Sequence, residues 1–533
     1  MRLKRSFLLV LFVWIQRAVP SSWGLLDDLQ HSVSDDQHVQ KQCGFTRYPE
    51  QCIQTLLGLR LKHPHADIIS AFVEKLRNQT MMLTSNPSYM FESLNSQHAS
   101  ASSVGYCVEL MNMSHRRLDQ SLLALKDSPR KRKKDIQTWL SSVLTFQSNC
   151  KDVLNGHSED LPGILSRKME YLSHLASNTL ALVNRITGDS EPKNTTSRRL
   201  TSNEDFPQWV TAKTRKLLQT TSILANAVVA QDGSGNYLTV SAAIQAASGG
   251  GFVIYVKAGV YEEKIHTNKD GITLIGDGKY STIIAYGSSV QGGSTMPGSA
   301  TFAITGDRFI ARDIGFQNIA GPKGGQALAM DIASDRSVLY RCSIVGYQDT
   351  LYAHALRQFY RECDIYGTVD FIFGNAAAVF QNCYLVLRRP QSGAYNVMLA
   401  NGREDPGQNT GFSIQRCRIA AGSDLSPVKY SVESYLGRPW KKYSRSVIMQ
   451  SIIDDAIRPR GWIEWSNNFA LNTLYFAEYS NSGPGASTSN RVKWPGHHVI
   501  GPDEAAKFTV ANFIDGTTWL PSTGIIFDSD IIN

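Results

Sequence analysis

The chain has 533 residues, 42% hydrophobic and 19% charged, enough to bury two or three cores and outside the disordered and low-complexity classes. The net charge of +8 invites a polyanion partner, but its distribution argues against one. Residues 1 to 218 hold 28 Lys and Arg against 20 Asp and Glu, whereas residues 219 to 533 hold 26 against 26. Much of the excess is the run Pro129-Arg-Lys-Arg-Lys-Lys134, read as a solvated loop between helices rather than a nucleic-acid or wall-binding patch.

At the N-terminus, Arg2, Lys4 and Arg5 precede an apolar run from Phe7 to Ile15. The run is too short to span a bilayer, so residues 1–24 are expected to be a cleaved signal peptide and the mature protein secreted, without a membrane span. Residues 36–185 favour helix formers with apolar spacings of three and four, as in Ile68, Phe72 and Leu76, which predicts an all-α antiparallel bundle. Residues 186–221 are polar and basic with no sustained periodicity and form a linker. It carries two dibasic sites exposed to a processing protease, Arg198-Arg199-Leu200-Thr201 and Arg215-Lys216-Leu217-Leu218. Sequons at Asn78, Asn112 and Asn194 fit a secreted glycoprotein.

From residue 222 to 533 the chain is rich in Gly and short β-branched runs, such as Gly251-Phe-Val-Ile-Tyr-Val256. A strand pattern recurs at 309–316, 338–345, 359–366, 379–386 and 414–421, anchored on Asp313, Cys342, Cys363, Cys383 and Cys417. A fixed strand pattern with coils of variable length predicts an all-β parallel β-helix, since insertions are confined to the turns. The remaining cysteines are Cys43, Cys52, Cys107 and Cys150. An even count in a secreted chain suggests disulfides, and no Cys-x-x-Cys spacing argues for zinc. Stacking leaves two outcomes open for the second set, a ladder of free buried thiols or two bridges.

The repeat also bears on chemistry. Asp349 and Asp370 each stand seven residues after their cysteine, on consecutive coils, so their backbones should lie about 4.8 Å apart. Close like charges raise one pKa, which gives an acid beside a nucleophile or base. A pair of solvated turn aspartates is the competing reading. Aromatic and apolar flanks, Gly346-Tyr-Gln-Asp-Thr350 and Gly367-Thr-Val-Asp-Phe-Ile-Phe-Gly374, weigh against it.

These segments, with Gly259-Val-Tyr261-Glu-Glu263, Gln326-Ala-Leu-Ala329 and Leu436-Gly-Arg-Pro-Trp440, resemble the plant pectin methylesterase family, in order, from about Ala227 to the C-terminus. The resemblance implies a right-handed parallel β-helix that hydrolyses methyl esters of homogalacturonan pectin in the cell wall, with no cofactor or metal. It implies Asp370 as nucleophile, Asp349 as acid and then base, Gln326 and Gln348 as amide donors to the developing oxyanion, and Arg438 as the partner of Asp370. Aromatic platforms suit sugars, so Tyr352, Phe373, Trp440 and Trp462 are cleft candidates, with core packing a near equal for Phe373 and Trp462. His354, His497 and His498 receive no catalytic role, because no serine motif accompanies them.

The front part resembles the invertase and pectin methylesterase inhibitor family. That implies a four-helix bundle with bridges Cys43 to Cys52 and Cys107 to Cys150, acting as a pro-domain that silences the enzyme until the linker is cut. Met296 and Met330 depart from the esterase pattern, and Met330 puts a basic substrate contact in question. Two other readings compete: a pectin-binding module with an inhibitory bundle, and a β-helix polygalacturonase or lyase. The first is opposed by the intact Gln326, Gln348, Asp349, Asp370 and Arg438 set. The second lacks its calcium carboxylates or Gly-His-Gly motif.

Overall fold

A computed structural model describes residues 39–59, 65–85, 101–155, 163–186 and 224–531. The signal peptide, Asn194 and both dibasic sites lie outside them.

Among the described residues the first unit is built on the helices α1 (Pro49–Leu59), α2 (His65–Thr84), α3 (Ala101–Asp127), α4 (Lys133–Asn155) and α5 (Gly163–Asn184). The apolar spacing drives them together. Ile68, Phe72 and Leu76 of α2 are fully buried, in one core with Leu110 and Leu118 of α3, Ile136 and Val143 of α4 and Leu172 and Leu175 of α5. Bridges Cys43–Cys52 and Cys107–Cys150 are present, the second tying α3 to α4. Closing a 43-residue separation removes denatured-state entropy worth about 4 kcal/mol.

The basic run forms the exposed loop into α4, with Arg130 and Lys131 facing solvent and the other three cations held by neighbours. Lys133 Nζ donates to Asn184 O and Ile186 O at the end of α5, Arg132 pairs with Asp135, and Lys134 pairs with Asp515. Asn78 and Asn112 sit on exposed positions of α2 and α3.

From Ala227 onward three parallel sheets of 11, 7 and 8 strands stack coil on coil. Their interior is a single apolar column, entered by Ile314, Cys342, Cys363, Cys383 and Cys417. The four cysteines are free and buried, with Sγ of Cys363 and Cys417 donating to Leu339 O and Phe380 O. One register differs from the sequence alignment. Val338 pairs with Ile310, so Ile314 rather than Asp313 takes the cysteine station. Asp313 instead belongs with Arg341, Glu362, Asn382 and Arg416, which precede the anchors at left-handed φ of 52 to 55° and turn each coil from the 11-stranded to the 8-stranded sheet. A short helix (Val240–Ala246) covers one end of the column, and residues 510–525 pack Val510, Trp519 and Leu520 on the outer face of the 11-stranded sheet.

The bundle docks on the side of the β-helix. Ala333, Ala355 and Leu356 of the β-helix belong to the bundle's own core. Around them, Arg117 forks onto Asp307 (2.7 and 2.8 Å), Arg116 bridges Asp270 and Asp307, and Arg357 joins Asp335 to Asp135 of α4.

Candidate active site

The site sits on the outer face of the seven-stranded sheet. Leu351 pairs with Ile372, two residues beyond Asp349 and Asp370, and the Asp349 N–H donates to Val369 O at 3.0 Å. The two aspartates therefore occupy equivalent stations one coil apart. Both are left-handed, φ 59° and 50°, a conformation of modest cost that Asp tolerates and that is concentrated at functional turns. The glycines ahead of them make the turn possible: a Cβ on Gly367 would lie 2.1 Å from that of Phe371.

Arg438 comes from the strand Ser434–Pro439, two coils further on. Its Nε and Nη2 donate to the two oxygens of Asp370 at 2.8 and 2.5 Å, and its Nη1 donates to the Tyr395 hydroxyl at 2.8 Å. The ring of Trp465 lies 4.2 Å from the guanidinium carbon, close enough for cation–π attraction. Asp349 has no side-chain donor among the described residues. Burial, and then the charge of Asp370, push its carboxyl well above the usual range. Burial also raises Asp370, but the hydrogen bonds and charge of Arg438 pull it back. The shared proton therefore rests on Asp349, leaving Asp370 ionised in the fork of Arg438.

Gln326 and Gln348 lie on adjacent coils, joined where the Ala327 N–H meets Gln348 O at 3.2 Å. Both side chains are half-buried, and neither amide has a protein partner among the described residues. Two free amide donors thus flank a neutral acid and an ionised carboxylate, a set suited to acyl transfer.

The aromatic candidates divide. Tyr352 and Phe373 pair across adjacent strands and stack with centroids 4.4 Å apart, and half-buried Trp440 meets both edge-on at 6.5 and 5.9 Å. Trp462 is not on this surface. Its backbone bridges Gly437, and its indole is fully buried in the column, stacked on Phe476 at 4.3 Å with Nε1 donating to Glu478. Met330 also points into the column, fully buried, so that position cannot read substrate charge. Met296 packs instead against the Tyr352–Phe373–Trp440 cluster. Tyr395 and Trp465 were missed. Trp465 stands three residues after Trp462, and the exposed member of that pair is the outer one. Tyr395 sits in a connection where coil offset gives no register.

Helix α4 crosses the edge of this surface. Asn149 Nδ2 donates to the Tyr352 hydroxyl at 2.7 Å and lies 2.8 Å from His354 Nε2, whose Nδ1 meets Asp331 at 3.0 Å. Asp152 pairs with Lys441, next to Trp440, at 2.8 Å.

Residues 226–517 match the Pectinesterase family profile, and residues 37–182 match that of the plant invertase/pectin methylesterase inhibitor. The chain is 48% identical to the "Probable pectinesterase/pectinesterase inhibitor 54" of Arabidopsis thaliana, over 90% of each chain. It is 51% identical to "Pectinesterase 2" of Citrus sinensis, over 80% of this chain and 81% of the relative. Among solved structures, pectin methylesterase from carrot superposes with a TM-score of 0.58 at 52% identity, covering 58% of this chain and all of that one. The Aspergillus niger pectin methylesterase gives 0.50 at 30% identity, over 57% of this chain and 97% of that one. This chain belongs to the pectinesterase family of carboxylic ester hydrolases and carries an inhibitor-type helical domain ahead of its right-handed β-helix.

Proposed function

We propose that the β-helix demethylates homogalacturonan through the Asp349–Asp370 pair, and that the bundle holds it inactive until the linker is cut. The observation carrying the first part is the fork of Arg438 on Asp370 beside a carboxyl whose burial keeps it protonated. Ionised Asp370 attacks the C6 carbonyl of a methylated galacturonate, and the charge moving onto the carbonyl oxygen is received by the amides of Gln326 and Gln348. Collapse of the tetrahedral species expels the methoxy group, which takes the proton of Asp349 and leaves as methanol, with an anhydride on Asp370. Asp349, now a carboxylate, takes a proton from water as the hydroxide adds to the sugar carbonyl of the anhydride. Asp370 leaves ionised, and a pectate carboxyl remains.

Tyr352, Phe373 and Trp440 would line the sugar path, with Trp465 over Arg438. Helix α4 supports the silencing role, because Asn149 and Asp152 engage Tyr352 and Lys441 along that path. Secretion to the wall, and processing at Arg215–Leu218 or Arg198–Thr201, complete the reading.

Methanol release from highly methylated pectin tests it, comparing the full chain, residues 219–533 and the latter with Asp370→Asn. The shorter form should release methanol without shortening the polymer, the full chain should release far less, and the variant none. Activity surviving Asp370→Asn would sink the mechanism. Equal activity of the two lengths would sink the silencing role.

A further inference from the structure

A cavity of about 260 Å³ lies where three parts of the chain meet, away from the aspartate pair. Lys134 and Thr138 of α4 form one wall, Arg445 of the β-helix another, and Lys507 and Phe513 of the C-terminal segment a third. Three of the four cations that line it already have carboxylate partners: Lys134 is 3.1 Å from Asp515, Lys507 is 2.6 Å from Glu504, and Arg357 is held by Asp135 and Asp335.

Arg445 is different. Its Nε donates to Thr410 O at 2.7 Å and its Nη2 to Gln408 O at 3.4 Å, both backbone carbonyls, while Nη1 has no partner among the described residues. The rings of Phe508 and Phe513 stand 5.8 and 5.4 Å from its guanidinium carbon. Among the described residues no carboxylate lies within ion-pairing distance, and the neighbouring charge that bears on it is Arg403, another cation. Burial and that repulsion push its pKa well down. Arg445 is half-buried and its Nη1 is left open on the cavity side, where an anion can join it.

We propose that this cavity binds a small carboxylate the size of one sugar acid, held on the Nη face of Arg445 with Lys134 and Lys507 at the rim. A planar two-donor face matches a carboxylate better than a point charge does. The volume falls below the range of drug-sized sites, so it admits one ring and not a polymer segment. Because Lys134 and Thr138 belong to the bundle, the site is complete only while the bundle is docked. A ligand of this form alone must favour docking, by about tenfold at ten times its Kd. Galacturonate is the natural probe only if the proposed esterase reaction holds. The site itself rests on the cavity and Arg445.

The test uses the full chain and follows thermal unfolding against sodium galacturonate, with galactose, and with sodium chloride at matched ionic strength, as controls. A saturable upward shift is expected with galacturonate, with a midpoint of about 1 mM for a ligand this small, and with neither control. It should fall at least fivefold in affinity in Lys134→Gln, an exposed substitution that spares the fold, and vanish in Arg445→Gln. In Asp370→Asn it should persist, because the aspartate pair takes no part. A shift that survives both cavity variants, or one matched by sodium chloride, overturns the proposal. So does the absence of any shift with galacturonate or with sodium acetate as a second carboxylate. Absence of methanol release from residues 219–533, with the shift intact in the full chain, would refute the esterase reading and leave this site standing.

Discussion

The two halves of this molecule encode spatial neighbours in different ways. In the β-helix, position along one coil maps onto the same position of the next, so a shared offset from a cysteine puts Asp349 and Asp370 side by side. In the bundle, an offset identifies only a face. Which β-helix residues that face would meet is fixed by docking, as when Arg117 reaches Asp307, 190 residues away. Repetition makes a site readable, whereas docking leaves no offset to read.

The sharpest way to test this contrast is to change the two aspartates alike. Asp370→Asn and Asp349→Asn should each lower kcat/KM by about 10⁴-fold or more, as for groups that act as a unit. They should differ in stability. The Asp349 carboxyl is raised in the fold, so its contribution is fully present below the ordinary carboxylate pKa and lost as pH rises through the folded value. Asp349→Asn should therefore raise the melting temperature at neutral pH and leave it unchanged near pH 3. Thermal scans at both pH values decide this.

The docking half is broken next. Arg117 is fully buried and forks onto Asp307, which keeps Arg116 as its other cation, so Arg117→Ala should cost the docked state about 1.5–3 kcal/mol, as for lost hydrogen bonds to a charged group. In the full chain, basal methanol release should rise towards that of residues 219–533. An unchanged rate would mean that the bundle's grip is elsewhere.

The pH dependence of docking follows from the same contacts. Asp135, Asp307 and Asp335 are each opposed by burial but held below the usual carboxylate range by Arg357, Arg336, Arg117 and Arg116. With folded pKa values depressed, their contribution is present above about pH 4 and lost as pH falls further. Protease sensitivity of the bundle should stay flat from pH 7 to 5 and rise below 4. A fall between 7 and 5 would mark His266 and Glu109, a bundle to β-helix pair 3.0 Å apart in which Glu109 raises the His266 pKa, so that protonation strengthens docking.

The smallest effect concerns Tyr395. Tyr395→Phe removes the acceptor on Arg438 Nη1 and leaves the fork on Asp370 intact, so kcat should fall by about threefold to tenfold, as for loss of one charge-assisted hydrogen bond. KM should hardly move, and the acid limb of the pH profile should shift up as Arg438 loosens.

The sequence carried the division into helical and β parts, the coil repeat and the site pairing, because each depends on a local period or a constant offset. Its repeat alignment slipped by one residue at Asp313, where a left-handed corner and an inward side chain are adjacent and look alike in sequence. Trp462 and Trp465 show the same limit. Three residues apart in one motif, they end in the interior and over Arg438, according to which one bridges Gly437.

By itself the sequence determined the architecture and the pairing of Asp349 with Asp370, since stacking converts periodicity into proximity without long-range information. Only the tertiary structure decided that the cysteines stay as thiols, that Met330 faces inward and Tyr395 meets Arg438. It also decided that α4 lies on the aromatic path and closes a cavity around Arg445. Those outcomes depend on how separate segments approach one another, and no period in the chain records that approach.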